Sequence, residues 1–297
     1  MTALPQRVRI VEVGPRDGLQ NESKIVATQD KAEFIRLLAA AGLKDIEVAS
    51  FVHPKWVPQL ADAQELIKEL QPFPDVRYSA LVPNMKGLER AIGSGIRRIA
   101  VFTAASETFN RKNINMGIDE SIAVFKPVVA GALKEGISVR GYVSTCFVCP
   151  YEGPIAKERV AQVAGALFDL GVDEVSVGDT IGGATPRDVE STGAHLLQLF
   201  SAARLAMHFH DTYGMAVANV YQALQMGFTT FDSSAGGLGG CPYAPGASGN
   251  VATEDLLYLL DRLDIETGVD LKLVRRASYF IAQQLARDLP SRVLKVS

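Results

Sequence analysis

Short apolar strand candidates alternate with amphipathic helical stretches along nearly the whole chain, and this alternation limits the fold more than any other feature. The strand candidates fall at Val8–Gly14, Asp45–Ser50, Arg77–Val82, Arg98–Thr103, Ser138–Thr145, Glu174–Gly178, Leu205–His210 and Thr229–Ser233. Between them lie helical patterns at Thr28–Ala41, Leu60–Leu70, Met85–Ser94, Ile118–Glu135, Ala156–Leu170, Thr185–Phe200 and Met215–Met226. Gly42, Gly95, Gly136, Gly171 and Gly227 stand where a helix gives way to the next strand, which is where a left-handed cap favours glycine. Eight strand–helix units predict an α/β fold, a (β/α)8 TIM barrel. An open doubly wound sheet is the competing arrangement, but no G-x-G-x-x-G follows the first strand. Helices at about Thr253–Leu263 and Leu271–Leu289 follow the eighth strand as additional C-terminal helices. No Pro- or Ser-rich linker interrupts the chain, so residues 1–297 read as a single domain.

Bulk properties narrow the partners. The 297 residues are 47% hydrophobic and 21% charged, with a formal charge of −3, which gives no electrostatic reason to expect nucleic acid or an anionic membrane. No apolar run approaches the roughly 20 residues that span a bilayer. The first residues carry no apolar signal core, and a cytoplasmic protein is the expectation. Three cysteines argue against a disulfide framework. Cys146 and Cys149 form a C-x2-C pair without a second pair or histidine at zinc-finger spacing, and they read as two packed thiols near a strand end.

In such barrels chemistry gathers at the C-terminal ends of the strands, and the reactive residues of this chain fall there. In Leu205–His210, alternation puts Leu205, Met207 and Phe209 on one face and Ala206, His208 and His210 on the other. Two of only four histidines then stand about 7 Å apart along one side of a strand. They would converge on one ion, or form a buried pair bonded to backbone. Arg16 and Asp17 follow the first strand. Asp17 with His208 and His210 makes an oxygen-and-two-imidazole set suited to Mg2+, Mn2+, Fe2+ or Zn2+. With no thiolate implied, a hard divalent ion acting as a Lewis acid is favoured, and Asn250 adds a neutral oxygen. Glu47, mid-strand among apolar neighbours, needs a partner: an ion pair with Arg16 and a catalytic role both fit. Asp179 follows the sixth strand but falls by alternation with Val175 and Val177, so orienting other groups or capping a helix fits it equally.

Residues 236–250 form a glycine-rich loop holding Pro242 and Pro245 that is neither helix nor strand. It reads as a lid over substrate, against a passive connection. Cys241 within it is a candidate acid–base group. No Lys-Ser/Thr follows as in a phosphate-binding loop.

These residues lie in segments that closely resemble the family of 3-hydroxy-3-methylglutaryl-CoA lyases, within the wider group of metal-dependent TIM-barrel lyases and acyl-CoA synthases. The matching segments are Val-Gly-Pro-Arg-Asp-Gly-Leu-Gln-Asn-Glu (13–22), Ser-Phe-Val-His-Pro-Lys-Trp-Val-Pro (50–58), Gly-Asp-Thr-Ile-Gly (178–182), His-Phe-His-Asp-Thr-Tyr-Gly (208–214) and Gly-Leu-Gly-Gly-Cys-Pro-Tyr-Ala-Pro-Gly-Ala-Ser-Gly-Asn (237–250). The resemblance implies a catalytic barrel that cleaves the C2–C3 bond of this acyl-CoA thioester to acetoacetate and acetyl-CoA, a reaction of leucine degradation and ketone-body formation. It implies that Asp17, His208, His210 and Asn250 hold a divalent cation, Mg2+ or Mn2+. It further implies that Arg16 pairs with the developing enolate oxygen, that Gln20 joins Arg16 in binding substrate, and that Cys241 donates a proton. Glu47 and Asp179 then orient the metal shell and assist proton transfer, which makes the implied catalytic set Arg16, Asp17, Glu47, Asp179, His208 and Cys241. At Ala286-Arg287-Asp288 the chain departs from the family's polar CoA-contacting pattern, so no nucleotide contact is assigned.

Three other readings compete. One is a lyase for a bulkier 3-hydroxy-3-alkylglutaryl-CoA. The second is a synthase joining acetyl-CoA to a 2-oxo acid. The third is a non-catalytic barrel that binds CoA esters, which predicts at least one broken metal or acid residue, and none is found. Exposed helices on barrels often form dimers, so a homodimer is the expected assembly.

Overall fold

Eight parallel strands close on themselves in chain order, each pairing with the next and the last with the first. They are β1 (Arg9–Glu12), β2 (Asp45–Ser50), β3 (Arg77–Leu81), β4 (Arg98–Ala104), β5 (Ser138–Ser144), β6 (Glu174–Asp179), β7 (Leu205–Phe209) and β8 (Thr230–Ser233). The computed structural model describes residues 4–73, 75–240 and 249–296. The predicted barrel is therefore present, with each predicted strand at its expected place.

Helices α1 (Thr28–Ala40), α2 (Ala63–Glu69), α3 (Met85–Ser94), α4 (Glu107–Ile114), α5 (Ile118–Lys134), α6 (Lys157–Asp169), α7 (Pro186–Leu199), α8 (Ala216–Gln225), α9 (Thr253–Arg262) and α10 (Leu271–Leu285) surround it. The two C-terminal helices close the ring: α9 packs on α8, and α10 lies between α9 and α1. The five glycines expected at helix ends all have positive φ, from 68° to 100°. Helix α10 stops four residues before the expected Leu289 because Ala286 takes a left-handed cap at φ 55°. No glycine marks that stop, so the apolar pattern alone ran past it.

Three features lie beyond the sequence reading. Helix α4 is an insertion after β4, started by Ser106, whose hydroxyl accepts the Phe109 N–H at 3.0 Å. A short hairpin pairs Val148–Cys149 with Gly153–Pro154. A wide helical turn at Gly14–Gly18 follows β1, closed by a five-residue bond from Gly18 N–H to Val13 O at 3.2 Å. Such wide turns are rare and concentrate at functional sites.

Strand alternation divides the side chains into two populations. Outward residues such as Val175, Val177, Leu205, Met207 and Phe209 join a continuous apolar core under the helices. The inward-facing positions are largely polar or charged, among them Arg140, Glu174, Ser176, His208 and Asp232, all buried. The two cysteines expected to pack together have different partners. Cys146 donates to Val143 O and Cys149 to Ser106 Oγ, each at 3.0 Å. No described helix is long and apolar enough to cross a membrane.

Candidate active site

A cavity of about 1050 Å³ opens at the C-terminal ends of the strands. Arg16, Asp17, Gln20, His208 and His210 line it, with Gly240 at the edge of the glycine-rich loop. Apolar walls come from Val52, Leu81 and Phe102, and the lining runs outward to Trp56, Arg111 and Lys112.

His208 and His210 reach the cavity because they occupy alternate positions at the end of β7, with Phe209 turned out against Phe147 at 6.2 Å. Their rings lie 5.1 Å apart, closer than the spacing along an ideal strand, with 44° between the ring planes. Asp17 enters from the wide turn after β1. Ligand atoms of Asp17, His208 and His210 all lie within 4.8 Å of one another. Among the described residues this is the only such cluster able to hold a metal. Asn250 pairs with His210 across an isolated bridge and donates to Asp17 Oδ2 at 2.9 Å.

Four buried side-chain atoms lack a hydrogen-bond partner among the described residues, and two of them are His210 Nδ1 and Asn250 Oδ1. Buried polar atoms are rarely left unpaired, because each orphan costs about 1–3 kcal/mol. Two orphan lone pairs beside a carboxylate fit a bound cation, so the donor set suits the ion expected from the sequence. Burial, reinforced by His208, lowers the His210 pKa to about 4. That imidazole is therefore neutral at neutral pH, as a ligand must be. Burial works to raise the Asp17 pKa, but Arg16 and the two histidines prevail and hold it below the usual carboxylate range.

Arg16 is fixed by two carboxylates. Its Nη1 donates to Asp17 Oδ1 at 2.6 Å and its Nε pairs with Glu47. Glu47 thus has the expected arginine partner, and it also accepts from Tyr142 Oη at 2.9 Å. The Tyr142 ring contacts two guanidinium groups, with the Arg16 carbon 5.3 Å and the Arg140 carbon 4.9 Å from its centroid. Arg140 spans the barrel interior, donating to Glu174 Oε1 at 2.7 Å, Asp232 Oδ1 at 2.6 Å and Tyr142 Oη at 2.9 Å. Asp232 then faces His208 Nδ1 at 3.2 Å.

Arg140, Tyr142, Ser176 and Asp232 were not singled out from the sequence. Their signal was available: Arg140 and Tyr142 stand two apart in an apolar strand, the same pattern that marked His208 and His210.

Asp179 is placed differently from the metal cluster. Its carboxylate accepts from the N–H groups of Gly183 and Ala184 at 3.0 and 3.1 Å, so it ties down the loop after β6. Burial raises its pKa to about 7. Nearby, Thr145 holds a left-handed φ of 53° at the end of β5, unusual for a β-branched residue, and its N–H donates to Thr180 Oγ1 at 2.8 Å.

Behind the cluster, Glu12 joins two turns. Its Oε1 accepts from Gly14 N–H at 2.8 Å and Ala235 N–H at 2.9 Å, linking the turn that carries Arg16 and Asp17 to the one that opens the glycine-rich loop. The described ends of that loop meet closely. A Cβ at Gly249 would lie 2.5 Å from the carbonyl carbon of Gly239, so only glycine allows the two strands of chain to pass. Cys241 lies outside the described residues.

Residues 7–281 match a protein family described as HMGL-like. The chain belongs to the HMGL-like family. It is 51% identical to the hydroxymethylglutaryl-CoA lyase YngG of Bacillus subtilis, over 98% of this chain and 98% of that protein. The crystal structure of a Bacillus HMG-CoA lyase superposes with a TM-score of 0.98 at 51% identity, covering 99% of each chain. An HMG-CoA lyase from Acinetobacter, solved in complex with coenzyme A and 3-methylmalate, superposes with a TM-score of 0.95 at 37% identity, covering 100% of this chain and 97% of that one. The HMGL-like barrel thus carries its polar interior and its ligand cluster on the face where barrel enzymes place their chemistry.

Proposed function

We propose that this chain is a carbon–carbon lyase that cleaves 3-hydroxy-3-methylglutaryl-CoA to acetoacetate and acetyl-CoA with the help of a divalent cation. The observation that carries the reading is the Asp17–His208–His210 cluster with the doubly anchored Arg16 beside it in one cavity. Membership of the HMGL-like family and the similarity to hydroxymethylglutaryl-CoA lyases over nearly the full chain support the substrate. The Acinetobacter lyase bound to coenzyme A supports the thioester.

Asp17, His208, His210 and Asn250 would hold the cation, Mg2+ or Mn2+. Bound there, it supplies Lewis-acid chemistry that lowers the pKa of a substrate hydroxyl. The tertiary hydroxyl at C3 gives its proton to a general base outside the ligand set, a transfer that Glu47 assists. The oxygen's electron pair becomes the new carbonyl of acetoacetate while the C2–C3 bond breaks, and the electrons of that bond pass into the thioester enolate. Arg16, held rigid by Glu47 and Asp17, donates to the enolate oxygen, where a charge-assisted bond strengthens as negative charge develops. Cys241 gives its thiol proton to C2. Gln20 lines the cavity beside Arg16 and binds substrate. Asp179 holds the β6 loop and assists by positioning. The cavity extends toward Trp56 and Lys112, which gives a long thioester arm a route out.

The test is direct. Incubation with the thioester and Mg2+ or Mn2+ yields acetoacetate, and a chelator abolishes it. Acetoacetate formation that ignores the chelator, or no acetoacetate at all, would refute the reading.

A further inference from the structure

The cluster of ligands and the anchored arginine are joined by a circuit of buried groups that passes through the half-buried Asp17. Starting from His208, Nδ1 faces Asp232 Oδ2 at 3.2 Å, and Asp232 Oδ1 accepts from Arg140 at 2.6 Å. Arg140 donates to Tyr142 Oη at 2.9 Å, and that hydroxyl donates to Glu47 Oε2 at 2.9 Å. Glu47 pairs with Arg16, Arg16 donates to Asp17 at 2.6 Å, and Asp17 returns to His208 through the ligand cluster. Asp232 is fully enclosed, at 1% exposure, and Arg140 is at 2%. Ser176 Oγ adds a third donor to Asp232, at 2.7 Å on the same oxygen that faces His208.

A carboxylate with no proton of its own accepts, so the Nδ1 that faces Asp232 carries the hydrogen. The Nε2 lone pair of His208 is then the one free to ligate. Register makes the pairing possible: Asp232 and His208 are direct neighbours across β8 and β7.

We infer that Asp232, clamped by Arg140 and Ser176, is a positioning residue that fixes the tautomer and ring orientation of His208 and so sets the site's cation affinity. The same Arg140 holds Tyr142 and through it Glu47, so one buried guanidinium keeps the ligand half of the site in register with the Arg16 half. An imidazole without such a partner rotates and samples both tautomers, and loss of an outer partner of this kind typically weakens metal binding 10- to 100-fold.

The inference rests on the reading that Asp17, His208 and His210 hold a cation, and the experiment separates the two. Mn2+ is titrated calorimetrically into the wild-type chain, Asp232→Asn, Ser176→Ala and Arg77→Ala, with thermal unfolding recorded for each. Nitrogen NMR of 15N-histidine-labelled protein with Mg2+ reports the His208 tautomer. The expected result is a wild type that binds one Mn2+, about 10- to 100-fold weaker binding in Asp232→Asn and a smaller loss in Ser176→Ala. The Nδ1–H signature of His208 should fade in Asp232→Asn, and Arg77→Ala should bind as the wild type does. If Asp232→Asn fails to fold, Ser176→Ala carries the test, since it keeps the carboxylate and removes one donor. Wild-type affinity and an unchanged His208 spectrum in the folded variants would overturn the inference while leaving the cation site standing. A wild type that binds no Mn2+ would overturn the site itself.

Discussion

The two ends of the barrel interior are both charged, yet they handle charge in opposite ways. At the N-terminal end, Asp45 takes Arg77 at 2.7 Å and Arg9 at 3.5 Å, while Arg98 takes Asp173 at 2.7 Å. Every one of these groups finds a partner of opposite sign. At the C-terminal end, Asp17 is paired, but His210 Nδ1 and Asn250 Oδ1 are buried without a partner among the described residues. A structural ion pair closes its own valences, whereas a binding site leaves some open for a ligand. Perturbed, incompletely satisfied groups in a cleft are what distinguish a site from a scaffold.

Substitutions at the open end should cost activity, and those at the closed end should cost at most stability. The largest effect is expected for His210→Ala, which removes a ligand. Loss of several kcal/mol of Lewis-acid stabilisation lowers kcat by about a thousandfold or more, and cation binding by calorimetry should vanish with it. Next comes Cys241→Ala, with a fall of about 10²- to 10⁴-fold in kcat as a general acid is lost while cation affinity stays. Normal turnover in that variant would remove Cys241 from the mechanism. Arg16→Gln should lower kcat by about 10²- to 10³-fold, the effect of deleting one oxyanion donor, and shift KM less.

A smaller effect concerns pH. Burial raises the pKa of Glu254 to about 7, although it accepts from Gly236 N–H at 2.8 Å and from Ser278. A carboxyl whose folded pKa lies above its unfolded value is protonated in the fold and ionised in the unfolded chain between those values. Its contribution therefore lowers stability as pH rises from about 4.5 to about 7. Glu254→Gln should flatten that part of the stability profile in denaturant melts at a series of pH values. The smallest change is expected at the closed end. Arg77 is half-exposed, so Arg77→Ala should cost about 0–1 kcal/mol in a denaturant melt and leave kcat unchanged.

Most of the fold was legible because five of the helices give way to a glycine and the strands are largely apolar runs, signals that are local in sequence. The His208 and His210 pair was legible for the same reason, through period-two alternation within one strand. Helix α4 was not, because Glu107–Ile114 has little apolar periodicity and its start rests on a single capping hydroxyl at Ser106. The Asp232–Arg140 and Tyr142–Glu47 links were illegible for a different reason. Their partners stand on separate strands, as with Tyr142 and Glu47, 95 residues apart, and only closure of the barrel brings them together. Asp179 shows the limit of alternation from the other side. The pattern set it apart from the histidine face, and its carboxylate indeed goes to the Gly183 and Ala184 amides.

The most direct test of the contrast between open and closed ends is a calorimetric titration of Mn2+ into three proteins: wild type, His210→Ala and Arg77→Ala. The account predicts one ion bound per chain in wild type and Arg77→Ala, and none in His210→Ala at the same concentrations. Equal binding by all three, or none by the wild type, would contradict it.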